Sequence, residues 1–275
     1  ARPGNVSSGL LTARTFRKGK PLSSWKRVVC DPVNSHKFYR SLPVLRGVIT
    51  DIDGTLTDEK RRLSTAAIEV IRELQENGIM VVLASGNTSC LLKGLCKLIG
   101  TGGTFIGENG GVYRIGFRGP LKVMAERDIA VKALEMLVEH YAKKGICLEL
   151  FSHQDRYSDV AFAREVPVDE VRSLLAGWPV DIMDTNFAIH IHAAGIDKGK
   201  TFPIVAEELG IKTEEFIGIG DSENDIGMIK AAGIGCCVAN AQECLKEVSD
   251  HCSSARYGDG FVEIMRKNFP HILAR

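Results

Sequence analysis

Two acids one residue apart, Asp51 and Asp53, follow the apolar, β-branched Val48 and Ile49 in the run Val-Ile-Thr-Asp-Ile-Asp-Gly-Thr-Leu-Thr of residues 48–57. Carboxylates at the end of a buried strand are costly unless something neutralises them, and a divalent cation with oxygen ligands does so. Strand alternation sets Asp51 and Asp53 on one side, and Gly54 frees the backbone to turn away. A solvated turn also accommodates an isolated D-x-D. Three further segments argue for chemistry instead: Ser85-Gly86-Asn87 after a second apolar run, Lys198 at the opening of a helical pattern, and Gly220-Asp221-Ser222-Glu223-Asn224-Asp225 after a third run.

These groups supply what phosphoryl transfer requires: a nucleophile, charge neutralisation and a general acid. Asp51 can attack and Asp53 can protonate a leaving oxygen. Ser85, the Gly86 N–H, Lys198 and a bound cation can neutralise the phosphoryl charge. The four acids Asp51, Asp53, Asp221 and Asp225 suit a hard, oxygen-preferring ion, Mg²⁺ before others.

Each group except Lys198 lies just beyond a predicted strand, and parallel strand ends gather at one edge of a sheet. From Val44 the pattern alternates strand and helix. Ser64 or Thr65 caps a helix with Ala67, Ile68, Ile71 and Leu74 on its apolar face, ending at Gly78. A strand over 79–84 and a helix facing inward through Leu91, Leu92, Leu95, Leu98 and Ile99 follow. A short strand over 104–106 then leads to Gly107-Glu108-Asn109-Gly110-Gly111. This order predicts an α/β fold with a doubly wound parallel sheet.

The rhythm changes over 122–194. A helix over 129–143, strands over 146–151 and 159–164, a helix from 167–169, and strands over 180–183 and 187–192 read as an inserted α+β cap above the strand ends. The parallel pattern resumes with a helix over 201–209, with Pro203 tolerable in its first turn. Strands over 215–219 and 234–238 flank a helix through 228–232, and a last helix over 261–268 follows Tyr257-Gly258-Asp259-Gly260. The catalytic core is thus expected over 44–121 and 195–275, the cap over 122–194, and a basic, disordered leader over 1–43.

The 275 residues carry a net charge of +1 with 25% charged residues, as in an ordinary soluble chain. No apolar run reaches transmembrane length, so no membrane partner is expected. The charge balance gives no general argument for nucleic acid. Only the first 46 residues, with ten Lys or Arg and the single acid Asp31, would support RNA binding or resemble an organelle transit segment. Eight cysteines include no C-x-x-C pair, which fits a reducing cytoplasmic setting; Cys236 and Cys237 read as core.

The four motifs in order, with the cap between the second and third, resemble the haloacid dehalogenase superfamily of phosphatases with a type 2B cap. Gly-Glu-Asn-Gly-Gly at 107–111, the compact cap and Tyr-Gly-Asp-Gly at 257–260 resemble its archaeal phosphoglycolate phosphatase and sucrose-phosphatase-like group. The resemblance implies an aspartyl-phosphate on Asp51, with Asp53 as acid and then base. It implies Ser85 and Lys198 on the phosphoryl oxygens and Asn224 as an orienting group. Mg²⁺ would be held by Asp51, the Asp53 carbonyl, Asp221 and Asp225, one of the last two through water. A small phosphorylated metabolite is the implied partner, 2-phosphoglycolate before a sugar phosphate such as sucrose 6-phosphate or mannosyl-3-phosphoglycerate. A mutase-like enzyme and a silent scaffold are the alternatives, and oligomeric state is open. An acid two residues after the nucleophile suits an alkoxide leaving group, which favours phosphatase over dehalogenase.

Further candidates are weaker. Asn109 is either a substrate contact or a turn residue. Arg156, beside His153 and Tyr157, is either a carboxylate-binding fork or a solvated hairpin tip. His190 and His192 alternate on a strand and favour sheet packing over a metal face.

Overall fold

A computed structural model describes residues 44–185 and 187–273; the leader of residues 1–43 lies outside them. The first βα units are β1 (Gly47–Thr50), α1 (Thr65–Glu76), β2 (Met80–Ala84), α2 (Ser89–Ile99) and β3 (Phe105–Gly107). Two short strands, β4 (Val112–Arg114) and β5 (Lys122–Val123), follow. Next come α3 (Asp128–Ala142), β6 (Asp159–Ala163), α4 (Val168–Leu174), β7 (Val180–Asp184) and β8 (Ala188–Ala193). The chain closes with α5 (Lys198–Glu208), β9 (Phe216–Gly220), α6 (Ile226–Ala231), β10 (Ile234–Cys237), α7 (Glu243–Lys246), β11 (His251–Cys252) and α8 (Tyr257–Asn268).

Eight strands form one sheet in the order β11-β10-β9-β1-β2-β3-β4-β5. Its strands from β11 to β3 are parallel, while β4 and β5 add an antiparallel edge. Strand order reverses between β1 and β9, and such a switch point opens a crevice at the carboxyl ends of the strands. Val48, Val81 and Leu83 pack on one face beneath α1, α2 and α8, with Ile71, Leu74, Phe261 and Met265. Ile49, Val82 and Phe216 pack on the other beneath α5 and α6, with Phe202, Val205 and Met228. Strands covered on both faces explain the nearly continuous apolar runs.

Between β5 and α5 the chain builds a second sheet, antiparallel, in the order β6-β8-β7. Val160, Phe162, Ile189 and Ile191 cover one of its faces with Leu134, Leu137 and Tyr141 of α3 and Val171 of α4. Four strands were expected here. Residues 146–151 make only a single bridge, Leu150 to Phe162, because Ser152 takes a left-handed conformation (φ +49°) and turns the chain away. Lys122 and Val123 pair with β4 in the large sheet rather than with the second one.

Two helices start earlier than their local patterns suggest. Helix α5 begins at Lys198, capped by the Asp197 side chain on Lys200 N–H, so Pro203 falls in its second turn. Helix α8 begins at Tyr257, so the two glycines that resemble a loop lie inside it. Gly258 is there for close approach: a Cβ would lie 2.2 Å from Cβ of Ser64, the residue that caps α1. Among the described residues no helix is long and apolar enough to cross a membrane. Gly258→Ala is expected to overpack the α1–α8 junction and cost about 1–3 kcal/mol, read as a lower urea midpoint with unchanged slope; an unchanged midpoint would refute the tight contact.

Candidate active site

Two strand ends and one helix start converge on a charge cluster. Asp51 follows β1, held to the neighbouring strand by its N–H on Ile219 O at 2.9 Å. Lys198, the first residue of α5, is fully buried. Its Nζ donates to Asp51 Oδ1 at 2.7 Å and to Asp225 Oδ1 at 2.8 Å. The other Asp225 oxygen accepts from the Asp221 and Ser222 N–H groups at 3.1 and 3.3 Å. Oxygens of Asp51, Asp221 and Asp225 lie within 4.8 Å of one another.

The backbone is shaped to allow this crowding. A Cβ on Gly54, whose φ is +87°, would lie 2.3 Å from Asp221 Oδ2, so the position needs glycine both for its conformation and for its space. A Cβ on Gly220 would lie 2.4 Å from Asp225 Oδ2. From the next loop, Asn240 Nδ2 donates to Gly54 O and Gln242 N–H to Asp221 O, both at 2.8 Å.

One ammonium does not balance the carboxylates of Asp51, Asp221 and Asp225, of which the first and last are buried and Asp221 is half-buried. Burial alone would push the Lys198 pKa down, but Asp225 and Asp51 outweigh it and hold it above its usual value. The surplus falls on the acids. Burial raises Asp51 well above the carboxylate range against the pull of Lys198, and Asp225, Asp221 and Asp53 add to the rise. Burial, then Asp225, pushes Asp221 up to about 7. Among the described residues, Asp51 Oδ2 and Asp221 Oδ1 are buried with no hydrogen-bond partner. Carboxylate oxygens left without donors, in a cluster short of positive charge, fit a hard divalent cation.

Asp53 sits two residues on, with Oδ2 accepting from Asn87 Nδ2 at 2.6 Å and Ser85 Oγ at 3.5 Å. Asn87 also donates its side-chain amide to Ser85 Oγ at 2.9 Å. Asn87 belongs with the site, and sequence reasoning passed over it although Ser85-Gly86-Asn87 was in view. Asn224 Nδ2 donates to Asn109 Oδ1 at 3.1 Å, leaving Asn109 Nδ2 a buried donor without a partner among the described residues. Gly86 packs against that amide: a Cβ there would lie 3.0 Å from Asn109 Nδ2. The structure thus groups Asp51, Asp53, Ser85, Gly86, Asn109, Lys198, Asp221, Asn224 and Asp225.

Arg156 reaches the same place from the inserted segment and is no solvated hairpin tip, being only 6% exposed. Its Nη1 donates to Asp159 Oδ1 at 2.7 Å and to Gly86 O at 3.3 Å, and its Nε to Phe151 O at 3.0 Å. Asp159 Oδ2 pairs with His190 Nδ1 at 2.9 Å, so His190 serves a hydrogen bond on the sheet face. His192 is buried beside it with Nδ1 on Ala193 O. Among the described residues the metal-competent cluster is the aspartate one and contains neither histidine.

The family model for haloacid dehalogenase-like hydrolases matches residues 48–175 and 180–265. A phosphoglycolate phosphatase of Methanospirillum hungatei is 82% identical over 232 residues, 84% of this chain and all of that protein. One from Methanoculleus marisnigri is 48% identical over 234 residues, again 84% of this chain and all of that protein. The crystal structure of Thermoplasma acidophilum 0175 superposes with a TM-score of 0.74 at 30% identity, covering 82% of this chain and 98% of that one. A haloacid dehalogenase-like hydrolase from Bacteroides thetaiotaomicron shares the fold, with a TM-score of 0.69 at 22% identity over 82% of this chain and 100% of its own. With its aspartates, lysine and strand ends in this arrangement, the chain belongs to the haloacid dehalogenase-like hydrolase family.

Proposed function

We propose that the protein is a Mg²⁺-dependent phosphomonoesterase that hydrolyses 2-phosphoglycolate to glycolate and phosphate. The observation that carries this reading is the Asp51 carboxylate. Lys198 fixes one of its oxygens, the other has no partner, and Asp53 stands two residues away in the grip of Asn87. The names borne by the two archaeal relatives support the substrate.

In this reading an Asp51 oxygen attacks phosphorus while the bond to the substrate's alkoxide oxygen breaks. Asp53 gives its proton to that oxygen, and the glycolate leaves. Asp53, now ionised, takes a proton from water, whose oxygen attacks the phosphoryl group on Asp51 and returns the carboxylate. Asn87 orients the Asp53 carboxyl for both transfers. Ser85, the Gly86 N–H and Lys198 hold the phosphoryl oxygens, and the unpartnered Asn109 Nδ2, steadied through Asn224, offers one more donor.

Asp51, the Asp53 carbonyl and Asp221 would hold Mg²⁺ directly. Asp225, whose two oxygens are already engaged by Lys198 and by two N–H groups, would act through water. The ion would supply positive charge beside the phosphoryl oxygens. Arg156 binds the substrate's carboxylate: Nε and Nη1 are engaged, while Nη2 takes none of these bonds. The inserted α+β segment acts as a cap over the site and excludes water.

Phosphate release from a panel of phosphomonoesters tests the reading. Phosphoglycolate should lead, and either chelator or Asp51→Asn should abolish turnover; a leading sugar phosphate would move the substrate and keep the chemistry, whereas release unaffected by Asp51→Asn would end the proposal. Asp53→Asn should lower kcat on phosphoglycolate by about 10²–10⁴-fold. It should lower kcat much less on p-nitrophenyl phosphate, whose phenolate leaves without a proton. Equal losses on both would remove Asp53 as the acid.

A further inference from the structure

The loop after β3 contains a carboxylate that the reaction above does not use. Glu108 and Asn109 adopt left-handed backbone in succession, with φ of +48° and +54°. Non-glycine residues hold such conformations only where the surroundings over-determine them. Asn109 is explained by its place in the site; Glu108 is not, because its side chain turns to the inserted segment.

Glu108 is fully buried. Its Oε2 accepts from Ser158 Oγ at 2.6 Å, Ser158 N–H at 2.8 Å and Tyr157 N–H at 3.0 Å, and its Oε1 accepts from Tyr157 N–H at 3.2 Å. The contact is close-packed as well as polar: a Cβ on Gly111 would lie 1.9 Å from Ser158 Oγ. One core carboxylate thus takes three donors from two consecutive residues, 49 and 50 positions along the chain. Burial and the nearby Asp159 raise its pKa, while Ser158 and Tyr157 oppose them.

The residue before this pair is Arg156, whose Nη1 reaches the Gly86 carbonyl. We propose that Glu108 is a positioning residue: it docks residues 157–158 on the core and thereby fixes the Arg156 guanidinium at the Gly86 peptide, where Nη2 receives the substrate's carboxylate. The proposal rests on the phosphoglycolate reading above. Arg156 has its charge balanced by Asp159 and its reach set by Glu108, so its effect depends on placement more than on net charge.

The test compares phosphoglycolate with p-nitrophenyl phosphate, which carries no carboxylate, in Glu108→Ala, Arg156→Ala and the double variant. Glu108→Ala should speed amide exchange over 156–158 and raise KM for phosphoglycolate about tenfold, leaving KM for p-nitrophenyl phosphate within about twofold. Glu108→Gln, which keeps an oxygen able to accept from the N–H groups, should recover part of the loss. In the Arg156→Ala background the Glu108 substitution should add nothing, as expected of residues acting through one contact. Ser158→Ala removes only the hydroxyl donor and should show the same selectivity on a smaller scale, which keeps the proposal testable where Glu108→Ala folds poorly. Equal KM increases on both substrates would make Glu108 a structural group, and additive losses in the double variant would break the link through Arg156; either overturns the proposal. Wild-type protein that hydrolyses p-nitrophenyl phosphate but not phosphoglycolate overturns the underlying reading first, before any variant is made.

Discussion

The buried ammonium of Lys198 between Asp51 and Asp225 is the interaction on which the rest of the structure depends. Taking these charges out of water costs several kcal/mol per ion in order of magnitude, and well-packed apolar side chains of similar size would serve stability as well or better. A charge cluster of this kind is poor evidence of a stability device. Its three carboxylates also exceed its one cation, so the folded chain holds negative charge in reserve, with Asp51 and Asp221 displaced upward in pKa as a result. An environment that raises the energy of its own carboxylates favours a bound cation.

Bringing these groups together is the work of the sheet. Lys198 lies 147 residues from Asp51 and 27 from Asp225, yet both contacts are under 3 Å. Parallel pairing of β1 with β9 places Asp51 beside the loop after Gly220, and the first turn of α5 delivers the lysine from above. Tolerance is small: the Cβ positions at Gly54 and Gly220 are taken by carboxylate oxygens of Asp221 and Asp225. The backbone at these two positions approaches so closely that side chains there would displace the acids.

Much of this was legible because the chemistry sits where local pattern is strongest. Apolar runs ending in Asp51, Ser85 and Asp221 marked strand ends, and parallel topology then implied one shared edge. What escaped has a common physical reason. Strands β4 and β5 are three and two residues long, too short for any period to show. Gly258 looks like a loop residue because its reason for being glycine is contact with Ser64, outside the local sequence. Asn87 was visible inside its motif, but its bond to Asp53 spans 34 residues. Glu108 meets Tyr157 and Ser158 through tertiary packing alone, and the burial of Arg156 follows from that same packing.

The bonding pattern separates two kinds of task. Among the described residues, every hydrogen bond to the side chains of Asp51, Asp53, Lys198, Asp221 and Asp225 comes from the large-sheet part of the chain. The inserted segment reaches the same place at its rim, through Arg156 on the Gly86 carbonyl and through the two residues held by Glu108. In the proposed reading, groups that transfer a phosphoryl unit need fixed geometry whatever the substrate, whereas groups that distinguish one small phosphate ester from another need only meet its far end. With the first set anchored wholly within one sheet, the second can change its side chains without disturbing the charge cluster. Glu108 is where that freedom stops, because it is a core residue, in strained backbone, whose carboxylate accepts its hydrogen bonds from the insert.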